Sequence, residues 1–150
     1  GLSVERDYDT SIPEFRGDRE QLIQAVLNIV RNATQALAEQ IAAGSARLVL
    51  RSRIARQVTI GKQRYRLALE LHIQDNGPGV TAEQQSLVFE RFRQGGDASN
   101  RPQGTGLGLP ISRQIVEHFG GRLWLESSPP DGARFLFSLP LNEHAGAAEA

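Results

Sequence analysis

Residues 75–79 read DNGPG, residues 89–92 read FERF and residues 104–109 read GTGLGL. Asp75 follows a run in which Leu67, Leu69, Leu71 and Ile73 alternate with Arg66, Glu70 and His72, the period of a strand with one wet face. A carboxylate after such a strand, a glycine turn beside it, and a second glycine turn opening a helix together make a compact site for a nucleotide. Leu69, Leu71 and Ile73 form the inward face, so Asp75 is expected at the sheet's end, partly desolvated. There it can accept a hydrogen bond from an exocyclic amine, worth about 1.5 to 3 kcal/mol for a charged group. That selects adenine over guanine. The bland reading is a turn aspartate before Asn76 and Gly77.

In GTGLGL the glycines at 104, 106 and 108 let backbone amides approach a phosphate, and the following helix presents its positive end to it. The dinucleotide fingerprint is set aside, because it needs GxGxxG directly after a strand, whereas the preceding RQGGDASNRPQ is no strand. A Walker loop is excluded too. Lys62 is the only lysine, and Gln63 follows it where Ser or Thr is required. The eukaryotic kinase pattern fails for the same reason.

Outward from this centre, Asp18 is a suitable N-cap for a long helix from Arg19 to about Ile41. Its apolar residues Leu22, Ile23, Val26, Leu27, Ile29, Val30, Ala33, Leu37 and Ile41 mark one buried stripe. Asn28 and Asn32 stand four apart on it, so both amides project from one face. They are either boundary amides or oxygen donors of the kind magnesium accepts when phosphates complete its shell.

Residues 3–8 alternate weakly, as an edge strand would. A second strand carries Leu48, Leu50 and Ile54 opposite Arg47, Arg51 and Arg53. Between Glu39 and Glu70 the only charged residues are seven bases, namely Arg47, Arg51, Arg53, Arg56, Lys62, Arg64 and Arg66. They read as a solvated hairpin or as a face for an acidic partner. Thr81 caps a short helix carrying Leu87, Val88, Phe89 and Phe92, and Gln94 to Gln103 reads as a mobile loop. A third helix runs from about Leu107 to Phe119, with Pro110 tolerated in its first turn and Gly120 and Gly121 ending it. Leu123 and Leu125, then Phe135, Phe137 and Leu139, make a closing hairpin around Pro129, Pro130, Asp131 and Gly132. The order gives an α+β fold, a mixed sheet with helices on one face, over residues 1–141. Residues 142–150 lose all pattern and read as a disordered tail.

At 150 residues, 39% hydrophobic and 23% charged, the chain holds one core and one domain. Seventeen basic residues balance seventeen acidic ones, so no overall field draws it to nucleic acid or an anionic membrane. No apolar run approaches the ~20 residues that span a bilayer. The absence of cysteine excludes a disulfide scaffold and thiolate metal sites, and fits the cytoplasm. The chain also lacks methionine, and is read as part of a longer or processed protein.

Together NIVRNA (28–33), DNGPG, FERF and GTGLGL resemble, in order and spacing, the catalytic ATP-binding domain of bacterial sensor histidine kinases in the GHKL superfamily. The resemblance spans about residues 3–140. It implies a Bergerat-type two-layer α/β sandwich, with a mostly antiparallel sheet and three helices on one face. It implies that Asn32 holds Mg2+, Asn28 sits beside the phosphates of ATP, and Asp75 reads the adenine amino group. Gly77 and Gly79 would shape the adenine pocket. Gly104, Thr105, Gly106, Leu107 and Gly108 would cap the phosphate side, with residues 93–103 as an ATP lid anchored by Phe89 and Phe92.

Hydrolysing branches of the superfamily carry a glutamate four residues before the magnesium asparagine. Here that residue is Asn28, and an amide cannot take a proton from water. The resemblance therefore implies transfer of the γ-phosphoryl to a histidine, then to an aspartate of a response regulator, in two-component signalling. His72, His118 and His144 are not followed by the acidic residue usual after a phosphoacceptor, so the acceptor belongs to a dimerisation and phosphotransfer domain expected before Gly1. Anti-sigma-type serine/threonine kinases share the fold but usually keep the glutamate, and an ATP-binding regulatory module without transfer is the other alternative. Two departures stand out. Gln35 occupies the place of a family lysine or arginine, so Arg31, Arg91 or, preferably, Arg93 would supply that charge. The arginine hairpin is similar to the nitrogen-regulation branch, whereas FERFRQ and RPQGTGLGLPISRQIVEHFGG resemble another branch, as a natural or engineered hybrid would.

Overall fold

The computed structural model describes residues 1–11, 18–85, 87–89, 108–127 and 131–141. In chain order the elements are β1 (Leu2–Asp7), α1 (Arg19–Ala36), α2 (Ala38–Ala43), β2 (Ala46–Ile60), β3 (Gln63–Asp75), α3 (Ala82–Gln85), α4 (Gly108–His118), β4 (Arg122–Ser127) and β5 (Ala133–Pro140). The strands form one sheet in the order β1-β2-β3-β5-β4. β1 is parallel to β2, and the other three pairs are antiparallel. The mixed, mainly antiparallel sheet expected from the sequence is thus present.

The period of two along β3 and β5 turns Leu69, Leu71 and Ile73 to the same side as Phe135, Phe137 and Leu139. Onto that side α1 lays Ala25, Ile29 and Ala33, and α4 lays Leu109, Ile115 and Val116. Small alanines on α1 let the helix sit close to β3 and α4, and Phe135 and Phe137 of β5 are the largest fully buried side chains. Asp18 caps α1 as expected, its side chain accepting from the Glu20 and Gln21 amides. Because α1 covers the sheet with one side only, Ile23 and Leu27 fall outside the buried stripe and are 47% and 51% exposed.

The long helix does not run unbroken to Ile41. It stops after Ala36, and the Leu37 amide reaches back to the Thr34 carbonyl at 3.1 Å, a tightened last turn. That turn carries Leu37 wholly into the core, and α2 then departs, ending on Gly44 at φ 77. The helix after Thr81 is also shorter than expected, spanning Ala82–Gln85. Its last residue is pulled onto the sheet, because Gln85 Nε2 donates to the Val80 and Ser127 carbonyls at 2.8 and 3.1 Å. Leu87, Val88 and Phe89 follow in turns. Gly120 and Gly121 end α4 where expected, their amides meeting the carbonyls of Glu117 and Val116.

β2 and β3 extend as a two-stranded arm beyond the last pairs with β1, at Arg51, and with β5, at Ala68. Gln57, at φ 54, stands opposite Arg66 between the pairs Arg56–Leu67 and Val58–Tyr65, and the register is the same on either side of it. The basic residues divide along this length. Arg47 pairs with Glu5, and Arg51 and Arg53 with Asp7, whereas Arg56, Lys62, Arg64 and Arg66 on the arm have no acidic partner among the described residues. β1 therefore neutralises the sheet end of the hairpin and leaves its arm charged. No helix among the described residues is long and apolar enough to cross a membrane. The tail expected over 142–150 lies outside the described residues.

Candidate nucleotide site

Asp75 closes β3 on the helix-covered side, two residues beyond Ile73, and is 3% exposed. Its Oδ1 accepts from the Gly77 amide at 2.9 Å. Burial pushes its pKa above the usual carboxylate value, and hydrogen bonds from the Gly77 and Ala133 amides partly offset that rise. No side-chain cation touches it among the described residues. A buried carboxylate so placed keeps acceptor capacity for a donor that arrives from outside.

The turn after Asp75 is fixed from three directions. Asn76 accepts from the Arg47 amide at 2.8 Å and donates to the Ser45 carbonyl at 2.9 Å, clipping the turn to the start of β2. A Cβ on Gly77 would stand 3.0 Å from the Ala36 carbonyl and 3.0 Å from Asp75 Oδ1, so a side chain there would press on the end of α1 where it meets the turn. On the far side a Cβ on Gly132, already at φ +87, would stand 2.1 Å from the Asp75 carbonyl. Ser127 joins these loops, accepting from the Val80 amide at 2.8 Å and donating to the Gly132 carbonyl at 2.6 Å.

Asn28, Asn32 and Ala36 follow one another at intervals of four along α1, one line on the helix surface. The last of them meets Gly77, so the line of amides leads directly to the Asp75 turn. Both asparagines are partly exposed, beside the buried stripe of Ala25, Ile29 and Ala33. Phe89 packs edge-on against Phe135, with Arg113 stacked 5.7 Å from its ring centroid. Since Phe135 pairs with Ile73, Phe89 sits near the same end of the sheet. Gly79 takes φ 86 in the turn, and Gly108 begins α4.

The structure thus brings Asp75, Gly77 and Gly79 into one turn and sets Asn28 and Asn32 on the line of α1 that ends beside it at Ala36. Phe92, Arg93, Gly104, Thr105, Gly106 and Leu107 lie outside the described residues, as do Arg91 and the expected lid. Three contributors were not singled out from the sequence. Asn76 and Gly132 read there only as turn residues, and Ser127 carries no local signal. An open groove of about 1110 Å³ between the hairpin tip, α4 and β4 is lined by Tyr65, Phe89, Arg113 and Trp124 among others, but not by Asp75, Asn28 or Asn32. Phe89 is the one expected site residue among the described residues that lines it.

The sheet and its helices thus make a two-layer domain in which a buried aspartate stands in a glycine turn, untouched by any side-chain cation among the described residues, with two asparagines on the helix that ends beside it. Residues 17–143 match the family described as histidine kinase-, DNA gyrase B- and HSP90-like ATPase, and the chain belongs to that family. It is 39% identical over 138 residues to the sensory histidine kinase/phosphatase NtrB of Escherichia coli O157:H7, covering 92% of this chain and 37% of that protein. The chain thus spans little more than a third of that relative, and the alignment runs through both halves of the chain. Among solved structures, the mycobacterial sensor histidine kinase MprB is 32% identical with a TM-score of 0.68, covering 93% of this chain and 83% of that one. The catalytic domain of histidine kinase ThkA, at 24% identity and a TM-score of 0.70 over 93% and 79% of the two chains, shares the fold.

Proposed function

We propose that residues 1–141 form a cytoplasmic module that binds Mg-ATP and passes its γ-phosphoryl to a histidine on a separate dimerisation and phosphotransfer domain, from which a response regulator aspartate receives it. The observation that carries this reading is Asp75. A carboxylate with no cation beside it among the described residues, buried at the end of a strand, is destabilising unless a ligand uses it. An adenine amino group is a donor of the right kind.

Asn28 and Asn32 then face the phosphates. Among the described residues no three His, Asp or Glu side chains gather as a metal cage, so a divalent ion here draws most of its shell from phosphate and water. The neutral amide of Asn32 suits that arrangement. When bound, magnesium screens the charge of the phosphates. Asn28 has no basicity with which to activate water, so the chain's residues orient ATP and leave the attack to an imidazole. In that transfer an imidazole nitrogen bonds to the γ-phosphorus as the bond to the β–γ bridging oxygen breaks, and ADP departs. The names of the NtrB relatives support this role and the nitrogen-regulation branch.

Calorimetric titration with ATP, with magnesium and then with chelator, tests the binding step on the wild type and on Asn32→Ala. Affinity should fall about tenfold for the variant in magnesium, as for loss of a hydrogen-bonding group to a charged partner, and much less in chelator. Equal losses in both conditions would remove the metal from Asn32. Absence of any heat from the wild type would sink the nucleotide reading. A second arm adds a histidine phosphotransfer domain and ATP labelled at the γ position. Binding without transfer of label would leave a regulatory ATP module.

A further inference from the structure

Ser112 is 0% exposed, and its Oγ donates to the Ala25 carbonyl of α1 at 2.9 Å, a bond between residues 87 apart in the chain. A helical serine ordinarily turns its hydroxyl to a carbonyl of its own preceding turn. Here it crosses to another helix, joining as a second donor at a carbonyl that also accepts within α1.

The position of this bond matters. α1 ends beside Gly77, at the end of the sheet where Asp75 pairs with Ala133, whereas α4 ends at Gly120 and Gly121, against Pro140 and Leu139 at the opposite end. The two helices are therefore antiparallel. One turn before Ser112 lies Gly108, the first residue of α4, and one turn after Ala25 lies Ile29, between Asn28 and Val30. Each step is roughly 6 Å in the same direction. The Ser112 bond thus sets the first turn of α4 level with the part of α1 that carries Asn28 and Asn32.

We propose that Ser112 is a positioning residue for the phosphate end of the nucleotide site. It holds the start of α4 against the asparagine face and does not touch the nucleotide itself. Apolar packing through Ile115 and Val116 keeps the helices together but tolerates small shifts along their axes. A directional hydrogen bond fixes the axial register. Without it α4 would sample other registers, and the fraction in the binding register would reduce apparent affinity in proportion. The adenine end, built from Asp75 and Gly77 on other elements, would not feel the change.

This inference rests on the nucleotide reading above, and the experiment separates the two. Wild type and Ser112→Ala are titrated with Mg-ATP by calorimetry, and with adenosine by the shift of the Gly77 amide resonance. Thermal unfolding is recorded in parallel. Loss of one neutral hydrogen bond should weaken ATP about three- to tenfold and leave adenosine within about twofold. Should Ser112→Ala not fold, Ser112→Cys, which keeps the volume and weakens the donor, carries the same comparison. Failure of the wild type to bind either ligand would overturn the nucleotide reading and this inference with it. Wild-type ATP affinity in the variant, or equal losses for ATP and adenosine, would overturn the role of Ser112 alone.

Discussion

Two aspartates close strands of the same sheet and live under opposite electrostatic conditions. Asp7, at the end of β1, is half-exposed and bonds Arg53 at 2.6 Å and Arg51 at 3.1 Å. The hydrogen bond from Arg53 holds its pKa below the usual range against an opposing effect of burial, with the hydrogen bond from Arg51 adding to the lowering. Asp75, at the end of β3, is buried and bonded by backbone amides, and burial pushes its pKa up. The first carboxylate has found its partners inside the fold. The second has backbone partners alone among the described residues, at a standing cost to stability, and in the proposed function its remaining partner is the ligand.

The largest effect should come from disturbing how Asp75 is held. Gly132→Ala puts a methyl group 2.1 Å from the Asp75 carbonyl oxygen at a backbone angle unsuited to L side chains. Strain and crowding together should cost about 3 kcal/mol in urea unfolding. A variant that unfolds at the wild-type midpoint would show that the start of β5 does not fix the carboxylate.

Next in size is Asp75→Asn. Exchanging a charged acceptor for a neutral amide should weaken ATP about 10- to 100-fold, the value of a charged hydrogen bond. Stability should move the other way. Because the folded state raises the pKa of Asp75, it holds the proton more tightly than the unfolded chain does. The stabilisation this gives is complete below the unfolded value and is lost as pH rises through the raised folded value. At neutral pH the ionised group is a net burden, so Asp75→Asn should melt no lower than wild type there, and the difference should shift in favour of wild type in acid. ATP affinity of the wild type should also begin to fall on acidification above the ordinary carboxylate range. A variant that loses stability and affinity together at neutral pH would mean that Asp75 belongs to the scaffold, like Asp7.

Asp75 was legible in the sequence because its placement is local. An alternating strand with Leu69, Leu71 and Ile73 on its inner side fixes where the next odd position must go. The alternation of Phe135, Phe137 and Leu139 and the stripe of Ala25, Ile29 and Ala33 carry the two-layer fold in the same way. What escaped depends on partners far along the chain. The break at Leu37 follows from a tight turn that buries that side chain, which periodicity cannot distinguish from one more helical position. Gly132 looks like any turn glycine until β5 pairs with β3 and brings it onto Asp75. The seven basic residues were visible as a set, but which of them find an acidic partner among the described residues is decided by β1 lying parallel to β2.

That division sets the smallest prediction, Asp7→Ala. The variant removes the carboxylate from two guanidinium groups, yet leaves neither of them buried without recourse. Arg53 Nη1 still donates to the Asp7 carbonyl at 3.1 Å and to the Ser52 carbonyl at 2.7 Å, and Arg51 keeps access to water. Pairs between exposed side chains contribute little and are screened by salt. The thermal midpoint should therefore drop slightly in dilute buffer and match wild type at molar salt. ATP affinity should not change, because β2 stands between β1 and the strand that carries Asp75. A large loss of stability that persists in salt would make Asp7 a structural anchor of the parallel edge. The two aspartates would then differ only in which element each one holds in place.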